Sequence, residues 1–135
     1  MLFVRQATLD DLPVLKAFDE WKVVTDAKIQ SGHCFVAGLD DRPLAFGILD
    51  HSFLHRPVIS VLFVHPDHRR AGLGSALITH FESVTKEPKL WISTNIENLA
   101  MQGALHKHGY SLAGVINNLG AIPELFYFKV INPAS

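Results

Sequence analysis

The segment "HRRAGLGSAL" (residues 68–77) places two arginines and two glycines between a strongly apolar run and a segment with helical spacing. A helix N-terminus offers unpaired N–H groups and a partial positive charge. Glycine lets the main chain approach an anion closely, and arginine adds charge and directional donors. The segment therefore predicts a pyrophosphate cradle at residues 69–75, and a plain strand-to-helix turn with solubilising arginines is the alternative.

Two common phosphate motifs do not match this cradle. Leu73 stands where a P-loop needs lysine, and Leu77 stands where a dinucleotide fingerprint needs a third small residue. The remaining pattern is Arg-x-x-Gly-x-Gly directly after an apolar strand.

The elements before the cradle follow from hydrophobic patterning. "LFVRQA" predicts a strand, and Thr8 and Asp11 are spaced as a capping box for a helix over about residues 10–18. "DEWKVVTDAKIQ" is a candidate second helix. The runs "CFVAGL" and "LAFGIL" predict two strands joined by the turn "DDRP". "PVISVLFVH" is nearly all apolar and β-branched, which predicts a central strand buried on both faces.

The elements after the cradle begin with a helix from Leu73, whose apolar stripe is Leu73, Leu77, Phe81 and Val84 and which Pro88 closes. "KLWIST" predicts a strand, and "NIENLAMQGALHKHGY" predicts a helix capped by Gly109. "YSLAGVIN" and "ELFYFKVI" predict two final strands. The resulting order, β-α-α-β-β-β-α-β-α-β-β, predicts an α+β fold with a mixed sheet in one domain over residues 1–135.

The composition narrows the class of protein. Lys plus Arg (12) nearly cancels Asp plus Glu (13), which argues against broad nucleic-acid binding. The single cysteine, Cys34, forms no internal disulfide and is expected to be a small buried side chain. No apolar run is long enough to span a membrane, and the N-terminus does not resemble a signal peptide, so we expect a cytoplasmic protein.

The eight histidines are not expected to bind a metal. Their spacings lack the accompanying cysteines and carboxylates that form a ligand set. We expect most of them to face solvent.

The cradle and one later helix carry a resemblance to a known family. "VHPDHRRAGLG" resembles the Gln/Arg-x-x-Gly-x-Gly/Ala signature of the GNAT superfamily of acyl-CoA N-acyltransferases, which follows a strand ending Val-x-Pro. "NLAMQGALHKHGY" is similar to the family's second signature, in which an asparagine begins the helix and a glycine and an aromatic residue follow it; the matching residues are Asn98, Gly109 and Tyr110.

The resemblance implies that acetyl-CoA is the cosubstrate and assigns residues to it. The thioester carbonyl would meet the backbone N–H of Leu62, and pantetheine would pair with the main chain near Val64. The cofactor-binding residues so implied are Leu62, Phe63, Val64, Arg69, Arg70, Ala71, Gly72, Leu73, Gly74, Ser75 and Asn98. A backbone donor is suited to the negative charge that acyl transfer develops on the carbonyl oxygen.

Two positions depart from the family pattern. Val58 stands where the family often has a glutamate base, with Ser60 nearby, and Leu105 stands where it often has a proton-donating tyrosine. A symmetric hairpin would put His51 opposite Val58, so His51 is a candidate base, with an exposed turn histidine as the alternative. Tyr127 is a candidate proton donor, with a core aromatic as the alternative.

The resemblance implies an N-acetyltransferase that moves an acetyl group to a primary amine of a small molecule or peptide. The alternative is an acetyl-CoA-binding sensor or regulatory module with little catalysis. By topology, Glu20 and Trp21 are expected to line the acceptor side. The apolar last strand "ELFYFKV" is expected at a sheet edge that a homodimer would cover.

Overall fold

The computed structural model describes residues 1–133, and its elements follow the predicted order. They are β1 (Leu2–Gln6), α1 (Leu12–Phe18), α2 (Asp26–Gln30), β2 (Cys34–Leu39), β3 (Arg42–Phe53), β4 (Arg56–Val64), α3 (Leu73–Val84), β5 (Lys89–Asn95), α4 (Leu99–Lys107), β6 (Ser111–Ile116) and β7 (Glu124–Val130). The strands form one mixed sheet in the order β1-β2-β3-β4-β5-β7-β6, with β4 and β5 parallel. The predicted α+β class is confirmed.

The chain divides into two compact units. The first contains Met1–Asp50 and Val61–Val84, and the second contains His51–Ser60 and the chain from Thr85 onward. Because β3 and β4 pass from one unit to the other, the one-domain expectation stays a prediction.

The first unit opens with the predicted capping box. The Thr8 backbone N–H donates to the Asp11 carboxylate at 2.8 Å, and the same carboxylate receives two bonds of 2.8 Å from the Arg5 guanidinium. This network fixes the entry of α1, which brings Leu15 and Phe18 onto the sheet. The core on this face is formed by Ala7, Leu15, Val24, Ile29, Cys34, Val36, Phe46, Ile48 and Phe63.

The other face of this unit is covered by α3. Leu73, Leu77, Ile78 and Phe81 of α3 are buried. A side chain at Gly47 would lie 2.7 Å from the Phe81 ring, so only glycine allows α3 to pack this closely on β3. Phe81 also meets Phe35 of β2 edge to face, with the ring centroids 5.6 Å apart.

Two tight turns set the hairpins. Asp40 and Asp41 join β2 to β3 with positive φ angles, so the "DDRP" turn is confirmed, although Arg42 already begins β3. Leu54 and His55 join β3 to β4 in the same way. Two adjacent residues with positive φ match the twist of a hairpin.

The second unit is built around β7, which pairs with β5 on one side and β6 on the other. The prediction that the last strand forms a sheet edge is therefore wrong, because β6 occupies that edge. Leu112, Val115 and Ile116 of β6 are exposed apolar residues. On β7, Phe126 stacks with Phe53, with their ring centroids 5.1 Å apart.

Three other local predictions differ from the structure. The second helix covers only Asp26–Gln30, because Thr25 caps it by accepting from the Lys28 N–H. In β4, Ser60 is exposed and Leu62 is half-buried, so the strand is not covered on both faces throughout. Helix α3 ends at Val84, which is 43% exposed and lies outside the buried stripe, and Pro88 comes after the helix has ended.

Among residues 1–133, no helix is long and apolar enough to cross a membrane.

Candidate functional site

The end of β4 presents main-chain groups on its side away from β3. The His65 N–H donates to the Leu44 carbonyl of β3 at 2.7 Å. Because N–H and C=O directions alternate along a strand, those of Val64 and Leu62 point away from β3. The main-chain donors assigned by family resemblance therefore face outward from this hairpin.

The chain after β4 turns sharply into α3. Residues Pro66–His68 form a single 3₁₀ turn, and Gly72 adopts a φ of +81° before α3 begins at Leu73. The Ala76 N–H donates to the Gly72 carbonyl at 3.0 Å. The N–H groups of Leu73, Gly74 and Ser75 precede that bond, so α3 itself leaves them without an intrahelical acceptor.

The space above Gly72 is open. A Cβ built at Gly72 would meet no atom within 4 Å in the described part of the chain, and one at Gly74 would lie 3.6 Å from Val64 Cγ2. Glycine is required at residue 72 by its φ rather than by crowding. The first N–H groups of α3 lie next to this open space, and N–H groups at a helix N-terminus are suited to binding a phosphate group.

Two arginines supply positive charge at this turn. Arg69 donates through Nε to the Val64 carbonyl at 3.2 Å, and its guanidinium lies over the Phe63 ring at 5.5 Å. Arg70 is exposed. The contacts of Arg69 tie the turn to β4, so Arg69 and Gly74 of the predicted cradle both lie next to Val64.

Asn98 has a structural role in the second unit. Its side-chain Oδ1 accepts from the Met101 N–H at 3.1 Å and caps α4. The predicted contact of Asn98 with the cosubstrate stays a prediction.

His51 pairs with a residue that sequence reasoning missed. Its Nε2 lies 2.5 Å from Oε2 of Glu87, and this hydrogen bond holds the pKa of the Glu87 carboxyl below its ordinary value. The two-residue turn at Leu54 and His55 places His51 opposite Val58, as predicted. Glu87 follows α3 by three residues in sequence, and no pattern in the chain indicates this pairing.

The other two positions considered for proton transfer are buried. Tyr127 is 9% exposed and is paired with Ile92 of β5 and Leu112 of β6, which is the environment of a core aromatic. Leu105 is fully buried in α4. The burial of Tyr127 does not test its predicted role as a proton donor, which stays a prediction.

The end of α1 contributes a small pocket of about 300 Å³ in the first unit. It is lined by Ala17, Phe18, Asp19, Glu20, His65, Pro66 and Asp67. Trp21 is 57% exposed, and its ring meets Phe63 edge to face with the centroids 4.8 Å apart. Sequence reasoning named Glu20 and Trp21 but missed Asp19 and Asp67, although the run "FDEW" carries two adjacent carboxylates.

The histidines do not gather into a ligand set within residues 1–133, where no group of three or more His, Cys, Asp or Glu side chains could hold a metal ion. His33, His51, His55 and His106 are exposed, whereas His65, His68, His80 and His108 are half-buried. We expected most histidines to face solvent, and four of the eight are exposed.

Solved structures that are similar to this chain include acetyltransferases. A GNAT-family acetyltransferase of Bacillus cereus is 27% identical, with 96% of this chain and 97% of that chain covered and a TM-score of 0.86. The ribosomal-protein-S18-alanine N-acetyltransferase of Escherichia coli is 20% identical, with 100% and 97% covered and a TM-score of 0.81. A putative streptothricin acetyltransferase of Bacillus anthracis, solved with acetyl coenzyme A, is 16% identical, with 96% and 99% covered and a TM-score of 0.81.

No curated protein sequence matches the chain. The family model of the acetyltransferase (GNAT) family matches residues 3–110, which include β4, the cradle and α4. The chain belongs to the GNAT family of acetyltransferases.

Proposed function

We propose that this chain transfers the acetyl group of acetyl-CoA directly to a primary amine of a small molecule or peptide. The observation that supports this most strongly is the turn between β4 and α3. There, Gly72 at φ +81° leaves open space beside the first N–H groups of α3, and two arginines precede it. An anionic cosubstrate fits these donors and charges.

The residues that hold the cosubstrate are those of the cradle and the end of β4. The N–H groups at Leu73, Gly74 and Ser75 bind the pyrophosphate, with Arg69 and Arg70 adding charge. The outward N–H of Val64 pairs with the pantetheine arm, while the Val64 carbonyl accepts from Arg69. When bound, acetyl-CoA supplies the acetyl group as a reactive thioester.

The chemical contribution of the protein begins with the Leu62 N–H. As the amine attacks the thioester carbonyl, negative charge develops on the carbonyl oxygen, and a fixed N–H donor stabilises it. The new C–N bond forms as the C–S bond breaks, the amine loses a proton and the sulfur departs as thiolate. Holding both reactants in place supplies much of the remaining acceleration.

His51 is the proposed base for the amine proton. Glu87 accepts a hydrogen bond from the His51 ring, which fixes the ring and stabilises the imidazolium formed after proton transfer. Tyr127 is the second group proposed for proton transfer, as a donor to the thiolate. Asn98 is proposed to contact the cosubstrate arm from the start of α4.

We also propose that residues 1–135 form one domain and that the protein is a cytoplasmic homodimer. The apolar, uncharged edge strand β6, rather than β7, is the surface that a partner would cover. Light scattering at tens of micromolar protein is expected to give twice the monomer mass, and a monomeric mass would contradict the dimer.

The transfer reaction is tested by measuring CoA thiol release from acetyl-CoA with a panel of primary amines, with mass spectrometry of the acetylated product. We expect amine-dependent release in proportion to product. Buried Val58 and Leu105 offer no proton-transferring group, which favours the alternative of a binding module with little catalysis. Tight acetyl-CoA binding without release on any amine would support that alternative and contradict the proposed transfer.

A further inference from the structure

The pocket at the end of α1 is lined by three carboxylates. Asp19 and Glu20 come from the end of α1, and Asp67 comes from the 3₁₀ turn after β4. Glu20 and Asp67 are exposed at its surface, and His65 is the one basic side chain in the lining. Three carboxylates around about 300 Å³ create a negative local potential that attracts a cation.

One of these carboxylates has an unused acceptor. Asp19 is 6% exposed, and its Oδ2 accepts from the Val24 N–H at 2.8 Å. Its Oδ1 is buried and finds no hydrogen-bond partner within residues 1–133. A buried carboxylate oxygen without a donor is destabilising, and an ammonium group that enters the pocket lined by Asp19 would supply such a donor.

Aromatic side chains connect this pocket to the cradle. The rings of Phe18 and His65 lie with their centroids 5.2 Å apart, and Phe18 also stacks with Phe63 at 6.2 Å. Phe63 in turn contacts the exposed Trp21 ring in an edge-to-face arrangement, and the Arg69 guanidinium lies over the Phe63 ring. His65 immediately follows Val64, so the pocket begins where the proposed acetyl-CoA-binding strand ends.

We propose that this acidic pocket binds a second positive charge on the amine acceptor, so that the substrates are polycationic amines or basic peptides rather than simple monoamines. The inference rests on the proposed function, because it specifies the acceptor of that reaction. The reacting nitrogen must be neutral to attack, whereas a second ammonium can stay protonated and be held by Glu20 and Asp67. The ring of Phe18, which lines the pocket, suits the alkyl chain that joins the two nitrogens, and Trp21 follows the lining residue Glu20 in sequence.

The test compares acceptors of equal length that differ only in the second charge. Hexylamine carries a methyl group where 1,5-diaminopentane carries its second ammonium. We expect kcat/KM for the diamine to exceed that for hexylamine by about tenfold or more, the effect of a charge-assisted hydrogen bond. The ratio should fall as ionic strength rises, because salt screens exposed charges.

Neutral variants locate the effect. The double variant Glu20→Gln with Asp67→Asn leaves only Asp19 charged in the pocket lining, so it is expected to lower the ratio severalfold while leaving acetyl-CoA affinity unchanged. Asp10→Asn removes an exposed carboxylate from the same unit outside the pocket lining and is the control for net charge. It is expected to keep the wild-type ratio.

Binding gives a readout that does not depend on turnover. The chain has two tryptophans, so in a Trp91→Phe background the emission reports Trp21 alone. We expect 1,5-diaminopentane to change this emission and hexylamine to have little effect at the same concentration. A ratio near one in the wild type, a ratio that survives the double variant, or a pocket that ignores the diamine would each overturn the inference. Absence of CoA release with every amine, while the diamine still changes Trp21 emission, would contradict the proposed function and leave the cation pocket standing.

Discussion

Replacing Gly72 with aspartate tests the cradle through charge and backbone together. Gly72 has a φ of +81°, where a non-glycine residue costs about 1–2 kcal/mol. Among the described residues, no atom lies within 4 Å of the position that a Cβ would take there, so crowding adds nothing to that cost. A domain with a typical stability of about 5–15 kcal/mol should therefore stay folded.

The expected loss of binding is much larger than the loss of stability. The new carboxylate would stand in the open space beside the first N–H groups of α3, where the pyrophosphate is proposed to lie. Two like unit charges about 4 Å apart near a protein surface repel by about 4 kcal/mol, which corresponds to nearly a thousandfold in affinity. Gly72→Asp should thus abolish measurable acetyl-CoA binding.

Two control variants separate charge from strain. Gly72→Asn has nearly the same shape without the charge, and asparagine tolerates positive φ better than most residues; we expect it to weaken binding far less than aspartate does. Gly109 has a φ of +86° at the end of α4, so Gly109→Asp carries the same backbone strain and charge at a different element. Its acetyl-CoA affinity should stay close to that of the wild type.

Isothermal calorimetry with acetyl-CoA measures affinity, and thermal unfolding measures stability for all three variants. Unchanged affinity in a folded Gly72→Asp protein would refute the cradle. Equal losses in Gly72→Asp and Gly109→Asp would show that strain or net charge, rather than a local anion site, is responsible.

Three further outcomes are expected. His51→Ala should lower kcat about 100-fold at unchanged acetyl-CoA affinity, the low end of the contribution of a general base; an unchanged kcat would exclude His51 as the base. The Arg5 guanidinium lowers the pKa of the Asp11 carboxyl, so its stabilising effect is present above the ordinary carboxyl pKa and is lost as pH falls through the lower folded value. Asp11→Asn should therefore cost about 1–2 kcal/mol in denaturant unfolding at pH 7, and this cost should shrink as the pH falls below the ordinary carboxyl range, whereas a cost that does not change with pH would contradict the ion-pair assignment. Burial raises the pKa of the Cys34 thiol to about 12, so a thiol reagent should label it only after unfolding, and rapid labelling of the folded protein would contradict its burial.

Local patterns predicted the fold, and they predicted the sharp turn that is proposed as the cradle, because these features depend on near neighbours in sequence. The apolar run of β4, the glycine at residue 72 and the stripe of α3 each determine a backbone conformation within a few residues. The order of elements then leaves few topologies for a mixed sheet.

Tertiary pairing accounts for what sequence patterns did not predict. The insertion of β7 between β5 and β6 depends on long-range pairing, so the position of the last strand in the chain misled the edge prediction. The contact of His51 with Glu87 joins residues 36 apart, and the meeting of Asp19 with Asp67 joins α1 to the turn after β4. Carboxylates that are distant in sequence line the same pocket only because the fold brings their elements together.

Amide chemical shifts of the isotope-labelled protein during an acetyl-CoA titration test the central claim most directly, because they report on the main-chain groups to which binding is assigned. We expect saturable shifts that are largest at Leu62, Val64, Leu73, Gly74 and Ser75. A titration in which these amides stay still while others move, or in which no amide responds, would contradict the assignment of the turn between β4 and α3 as the acetyl-CoA site.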